Sequence, residues 1–110
     1  MQHITVDEVG SALAEGKEVI LLDVRTPAEY AAGHIEGSVH VELNRLKHDI
    51  EGAIPEKSRT MYVYCLSGSR SDLAVPLLER LGYSDVYSVT SGLLAWRAKG
   101  LPLIKIPSES

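Results

Sequence analysis

Cys65 is the only cysteine in a chain of 110 residues. A single thiol cannot close an internal disulfide, so the fold does not depend on an oxidising compartment. The same scarcity excludes a zinc site built from paired cysteines. The four histidines, His3, His34, His40 and His48, show no ligand spacing of the HxxxH kind, and no metal site is expected. Also missing is any apolar stretch approaching the ~20 residues that a membrane helix needs; the run Val19–Leu22 is strand-sized. The opening MQHITVDEVG has neither the basic region nor the apolar core of a secretion signal. It predicts a cytoplasmic protein, or the mature form of an exported one. No basic cluster offsets the net charge of −4, which argues against nucleic acid and acidic membranes as partners.

What is present suits one globular domain with a single modest core. Short β-rich runs alternate with helical patterns, the mark of an α/β domain around a largely parallel sheet. Ile4 opens with a brief strand, and Thr5 with Glu8 forms a capping box that starts a helix ending near Gly16. Val19–Val24 reads as a strand covered on both faces. Pro27 suits the first turn of a short helix over Ala28–Ala32, closed by Gly33. SVHVEL supplies the next strand and a helix follows around Asn44–Ile50. Thr60–Cys65 is β-branched and aromatic and reads as a strand ending at the cysteine. From Ser69 to Leu81, Leu73, Val75, Leu77, Leu78 and Leu81 give a helical apolar face closed by Gly82, with Pro76 inside it as a possible bend. DVYSV is the last strand, GLLAWRAKG the last helix and LPLIKI the exit. The domain is expected over residues 1–106, with a short tail at 107–110.

The segment CLSGSR lies where a strand hands over to a helix, the place where open α/β sheets bind ligands. Ser67, Gly68 and Ser69 are small, so successive backbone N–H groups can turn inward as an anion-binding nest. The start of the next helix adds further N–H groups and a partial positive charge. A thiol there is expected to be stabilised as its thiolate and to be accessible. Arg70 adds a bidentate hold for an oxyanion. The alternative is that Cys65 is an inert apolar filler at a strand's end, the commoner fate of a free cysteine. The glycine, two serines and arginine that follow it favour the reactive reading.

Four segments together resemble the rhodanese family of sulfurtransferases in its single-domain form. LLDVRTPAEYAAGHIEGSVHV is similar to the family's D-V-R-x-x-x-E-Y-x-x-G-H-I-x-G-A pattern, with Ser38 in place of the alanine. VYCLSGSRS resembles the active strand and its C-x-x-G-x-R loop. LLERLGYSDVYSV resembles the helix–glycine–strand step that follows, and TSGLLAWRAKGLPL the closing G-x-x-x-W segment. The resemblance implies a three-layer domain, with a central, mainly parallel sheet and helices on both faces. It implies Cys65 as the nucleophile that takes the outer sulfur of a donor such as thiosulfate, and Leu66, Ser67, Gly68, Ser69 and Arg70 as the substrate loop. A small acceptor such as cyanide or a thiol, or a protein donor or acceptor, completes the transfer, without cofactor or metal. Two positions depart from the pattern. Leu66 stands where thiosulfate-using members often carry arginine, leaving Arg70 as the loop's only cation. Ser91–Gly92 stands where two glycines are common, with a small effect expected on that turn.

Asp23 and Arg25 fall on the same sheet edge as the loop. An Arg25–Glu29 ion pair is expected there, with a structural role for both Asp23 and Arg25 and a lesser influence on Cys65. His34 reads as a hydrogen-bonding structural residue. Trp96, Leu93 and Leu94 read as the core face of the last helix, and Asp49, Glu51 and Glu56 as solvated surface. The tyrosines read as half-buried packing residues without a separate role. Two other functions compete. A phosphatase or arsenate reductase of the C-x5-R type needs its arginine one place later than Arg70, where this chain has Ser71. A sulfur carrier loaded by a protein, or a non-catalytic binding module of the same fold, needs no small-molecule donor.

Overall fold

The computed structural model describes residues 1–106; the tail expected at 107–110 lies outside the described residues. The elements run in order as β1 (Gln2–Ile4), α1 (Val6–Ala14), β2 (Ile20–Asp23), α2 (Pro27–Ala32) and β3 (Val39–His40). After a single 3-10 turn at Leu43–Arg45 come α3 (Leu46–Ala53), β4 (Met61–Tyr64), α4 (Ser69–Arg80), β5 (Val86–Val89) and α5 (Gly92–Ala98). The capping box at Thr5 and Glu8 forms as expected. A second one forms between Thr26 and Glu29, with Pro27 in the first turn of α2.

The five strands pair in the order β1-β5-β4-β2-β3, and every pairing between them is parallel. All four residues of β2 and of β4 are buried, as strands covered on both faces must be. One face packs Leu22, Val24, Leu46, Ile50, Val63, Val75 and Leu78 against α3 and α4. The other packs Val6, Val9, Leu21, Tyr64, Leu93 and Trp96 against α1 and α5. Right-handed crossovers explain the segregation. The chain moves one way across the sheet from β1 to β2 and from β2 to β3, and the other way from β3 to β4 and β4 to β5. Between β2 and β4, therefore, one strand exits toward each face. The carboxyl ends of two such central strands are where open α/β sheets bind ligands, and Cys65 directly follows β4 there.

Some expectations need correction. SVHVEL contributes only Val39–His40 to the sheet, since Val41 onward turns into the 3-10 segment. Leu73 and Leu94 are 66% and 51% exposed. The buried face of α4 is Ser71, Ala74, Val75 and Leu78, a helical spacing that leaves Leu73 to one side. In α5 that face is Gly92, Leu93 and Trp96, one residue out of phase with Leu94. The helix α4 continues through Pro76. The exit segment pairs back on the loop after α2, with Ile104 and His34 exchanging backbone hydrogen bonds of 2.9 Å. No helix among the described residues is long and apolar enough to cross a membrane.

Candidate active site

Cys65 follows β4 directly, and its sulfur turns back into the loop that it begins. The N–H of Gly68 donates to Sγ at 3.1 Å and the N–H of Ser71 at 3.4 Å. The residue before α4, Gly68, has no side chain to cap the helix. The sulfur takes that place, accepting the N–H three residues into the helix, as a capping oxygen would. Gly68 sits at φ +105°, in the left-handed region, and a Cβ on it would meet the Ser91 N at 3.4 Å. Only glycine turns the chain here without strain.

The loop is anchored from the far side by the start of α5. Leu93 N–H donates to the Cys65 carbonyl at 2.9 Å, and Leu94 N–H to the Leu66 carbonyl at 3.0 Å. These bonds require the two backbones to touch at Gly92. Of the two glycines common at this turn, the second is the one that close approach demands. Ser91 occupies φ +59°, a left-handed position where a non-glycine residue costs about 1 kcal/mol. Leu66 is half-buried against the α1–α5 face of the core.

Cys65 itself is fully buried, which corrects the expectation of an accessible thiol. The anchoring by α5 and the inward turn of Sγ toward Gly68 and Ser71 account for it. Beneath the loop runs a hydrogen-bond chain that motif spacing did not reveal. The buried Ser71 hydroxyl lies 3.8 Å from Sγ, 3.0 Å from the Gly68 carbonyl and 2.8 Å from Ser88 Oγ. Ser88 donates to Asp72 Oδ1 at 2.7 Å, and the His3 ring approaches the same oxygen at 3.2 Å. A polar residue buried in the apolar strand VYSV was the available signal for Ser88.

Arg70 does not point a free guanidinium at the loop. Its Nη1 and Nη2 donate to the two oxygens of Glu29 at 2.7 and 3.0 Å. The same Glu29 carboxylate closes the capping box, accepting from Thr26 N at 3.0 Å. The Arg70 guanidinium holds the Glu29 carboxyl at about 2, well below the usual carboxylate range. Glu29 in turn stabilises the charge on Arg70. The expected Arg25–Glu29 pair is therefore not formed. Arg25 turns inward instead, with Nε bonding both Asp23 oxygens at 3.1 Å and Nη2 reaching Asp23 Oδ2 and the Gly33 carbonyl at 2.7 Å each. Both partners are buried, and their bonds run between β2 and the end of α2.

Around this pair the packing is polar but structural. His34 donates from Nδ1 to the Tyr30 carbonyl at 2.7 Å and stacks on the Tyr30 ring at 3.7 Å. His40 donates from Nε2 to the Arg25 carbonyl at 2.7 Å. The buried Tyr64 hydroxyl accepts from Ile35 N–H and donates to Ser38 Oγ, each at 3.1 Å; burial raises its pKa strongly. Tyr64 thus ties β4 to the loop after α2, a task its sequence neighbours did not suggest. Trp96 donates to the Pro102 carbonyl at 2.9 Å. Asp49, Glu51 and Glu56 are exposed and pair with Arg45, Lys57 and Arg59 at the surface.

A cysteine whose sulfur accepts backbone N–H groups at a helix N-terminus can hold negative charge on that sulfur, or on a second sulfur attached to it. The comparisons with known proteins agree with this geometry. The family model described as rhodanese-like domain matches residues 5–99. A protein of Allochromatium vinosum named sulfurtransferase is 34% identical over 104 residues, covering 94% of this chain and 95% of that one. The thiosulfate sulfurtransferase GlpE of Pseudomonas fluorescens is 39% identical over 90 residues, covering 82% of this chain and 80% of the relative. The solution structure of a rhodanese-like domain from an Anabaena protein superposes with a TM-score of 0.87 at 32% identity, covering all of this chain and 84% of that one. Motifs, fold and relatives converge, and the chain belongs to the rhodanese-like domain family.

Proposed function

We propose that the protein is a sulfurtransferase that moves a sulfane sulfur from a donor to a thiophilic acceptor through a persulfide on Cys65. The observation that carries this reading is the pair of N–H groups, from Gly68 and Ser71, aimed at the Cys65 sulfur. A filler cysteine needs no such donors, whereas a thiolate and its persulfide do. With thiosulfate as donor, the thiolate attacks the outer sulfur. The new S–S bond forms as the old one breaks, and its electron pair leaves with sulfite. Cyanide or a thiolate then attacks the outer sulfur of the persulfide and returns Cys65 to its thiolate. The two displacements balance without oxidant, metal or cofactor, a double-displacement covalent scheme. Leu66–Arg70 form the substrate loop, and Asp23 and Arg25 tie the neighbouring end of β2 to the Gly33 carbonyl at the end of α2. The relatives named sulfurtransferase and thiosulfate sulfurtransferase support the same class of reaction.

The deciding experiment is intact mass after incubation with thiosulfate, with Cys65→Ser alongside. One added sulfur atom in the wild type alone, lost on adding cyanide, is the expected result. If thiosulfate adds nothing, a persulfide-loaded protein donor is offered to the same sample. Uptake then identifies a sulfur carrier, and a second silence overturns persulfide chemistry in favour of a binding module.

A further inference from the structure

The loop's cation is already engaged before any substrate arrives. Arg70 gives two of its N–H groups to Glu29, one to each carboxylate oxygen, so the pair is close to neutral as a unit. Glu29 is held in place independently, because Thr26 N–H and the Thr26 hydroxyl both bond the same carboxylate. The carboxylate is therefore part of the fixed start of α2, and it ties Arg70, in the first turn of α4, to that point. Beside the pair opens a cleft of about 240 Å³, lined by Val24, Thr26, Glu42, Leu43, Asn44 and Arg70. With Arg70 neutralised, the remaining charged side chain of that lining is the Glu42 carboxylate. A lining with this balance disfavours a small dianion beside Arg70 more than a monoanion or a neutral group.

We propose that Glu29 determines donor specificity by withholding Arg70 from doubly charged donors, so that the site favours sulfane sulfur carried on groups of lower charge. This restraint presupposes that Cys65 carries the sulfur. Glu29 acts through Arg70 and touches no reacting atom; it is a positioning residue. A rival role exists, in which Glu29 merely orients Arg70 so that its remaining N–H groups face the substrate. The two roles predict opposite signs when the Glu29 charge is removed.

Glu29→Gln keeps the side-chain oxygen that Thr26 needs and removes the charge. The test compares thiosulfate, a dianion, with benzenethiosulfonate, a monoanion that gives the same persulfide and leaves as sulfinate. Wild type, Glu29→Gln, Arg70→Gln and the double variant are each measured with both donors. In Glu29→Gln the KM for thiosulfate should fall roughly three- to tenfold, and that for benzenethiosulfonate by less than about twofold, as expected when a charge-assisted contact becomes available to the donor. The gain should vanish in the Arg70→Gln background. Where the wild type takes no sulfur from thiosulfate, the Glu29→Gln variant should acquire a persulfide by mass. A thiosulfate KM that stays unchanged or rises in Glu29→Gln, or continued silence toward thiosulfate while benzenethiosulfonate still loads Cys65, overturns the proposal. Failure of both donors in every variant also overturns the proposal, and where a persulfide-loaded protein donor fails as well, the persulfide chemistry beneath it falls with it.

Discussion

Gly92 and Cys65 meet backbone to backbone. A Cβ placed on Gly92, which sits at φ +44°, would overlap the Cys65 carbonyl oxygen and come within 3.1 Å of the Leu66 carbonyl oxygen. The start of α5 and the active loop are thus a single packed unit, closed by the Leu93-to-Cys65 hydrogen bond.

Gly92→Ala should therefore be costly twice, through the left-handed backbone and through the overlap with atoms that have no flexible end to move. A loss of roughly 2–4 kcal/mol is expected in urea unfolding, together with reduced sulfur loading of Cys65 in the folded fraction. Gly37→Ala is the control. Gly37 is also left-handed, at φ +84°, but a Cβ there meets nothing within 4 Å. It should cost about 1 kcal/mol and leave loading untouched.

Contacts local in sequence were legible, and contacts made by strand order were not. The Thr5–Glu8 box, Pro27 in the first turn of α2 and the placing of Cys65 between a strand and a helix all depend on residues a few places apart. Glu29 with Arg70, Ser71 with Ser88 and Gly92 with Cys65 join segments far apart in the chain. They meet because β4 lies between β5 and β2, an order that spacing along the chain does not encode. The misplaced Arg25–Glu29 pair is instructive. A spacing of four is a reason for pairing only within a helix, and Arg25 precedes α2, leaving it free to turn inward to Asp23.

The Asp23–Arg25 pair gives a prediction that separates scaffold from chemistry. Asp23→Asn leaves the Arg25 guanidinium, only 2% exposed, without its countercharge. Removing one partner of a buried pair destabilises by about 3–5 kcal/mol. Because the bonds of the pair run to Gly33 and between Asp23 and Arg25, the rate of Cys65 loading per folded molecule should stay near that of wild type. A loading defect in fully folded protein would assign the pair a direct influence on the sulfur.

Ser71 is expected to matter in the opposite way. Its hydroxyl is buried and shared among the Gly68 carbonyl, Ser88 and the neighbourhood of the sulfur. Ser71→Ala keeps the backbone N–H that points at Sγ and removes the hydroxyl that braces the Gly68 turn. A modest loss of stability, about 1–2 kcal/mol for a buried hydrogen-bonded hydroxyl, should accompany slower alkylation of Cys65 by iodoacetamide at pH 6. Asp72→Asn, one step further along the chain through Ser88, should slow alkylation less. Equal rates in all three proteins would reduce the chain to a packing feature.

The Glu29–Arg70 pair predicts how stability depends on pH. The folded protein holds the Glu29 carboxyl at about 2, against 4.5 for the ordinary group. A carboxylate with a depressed folded value binds its proton more readily in the unfolded chain. Its contribution is therefore complete above pH 4.5 and is lost as the pH falls toward 2. Melting temperatures measured by circular dichroism from pH 6 to pH 2 should decline less steeply over that window for Glu29→Gln than for wild type. Arg70→Gln should flatten the same window, because it removes the largest cause of the depression. If the wild type and both variants decline in parallel, the pair is too well screened by solvent to stabilise the fold.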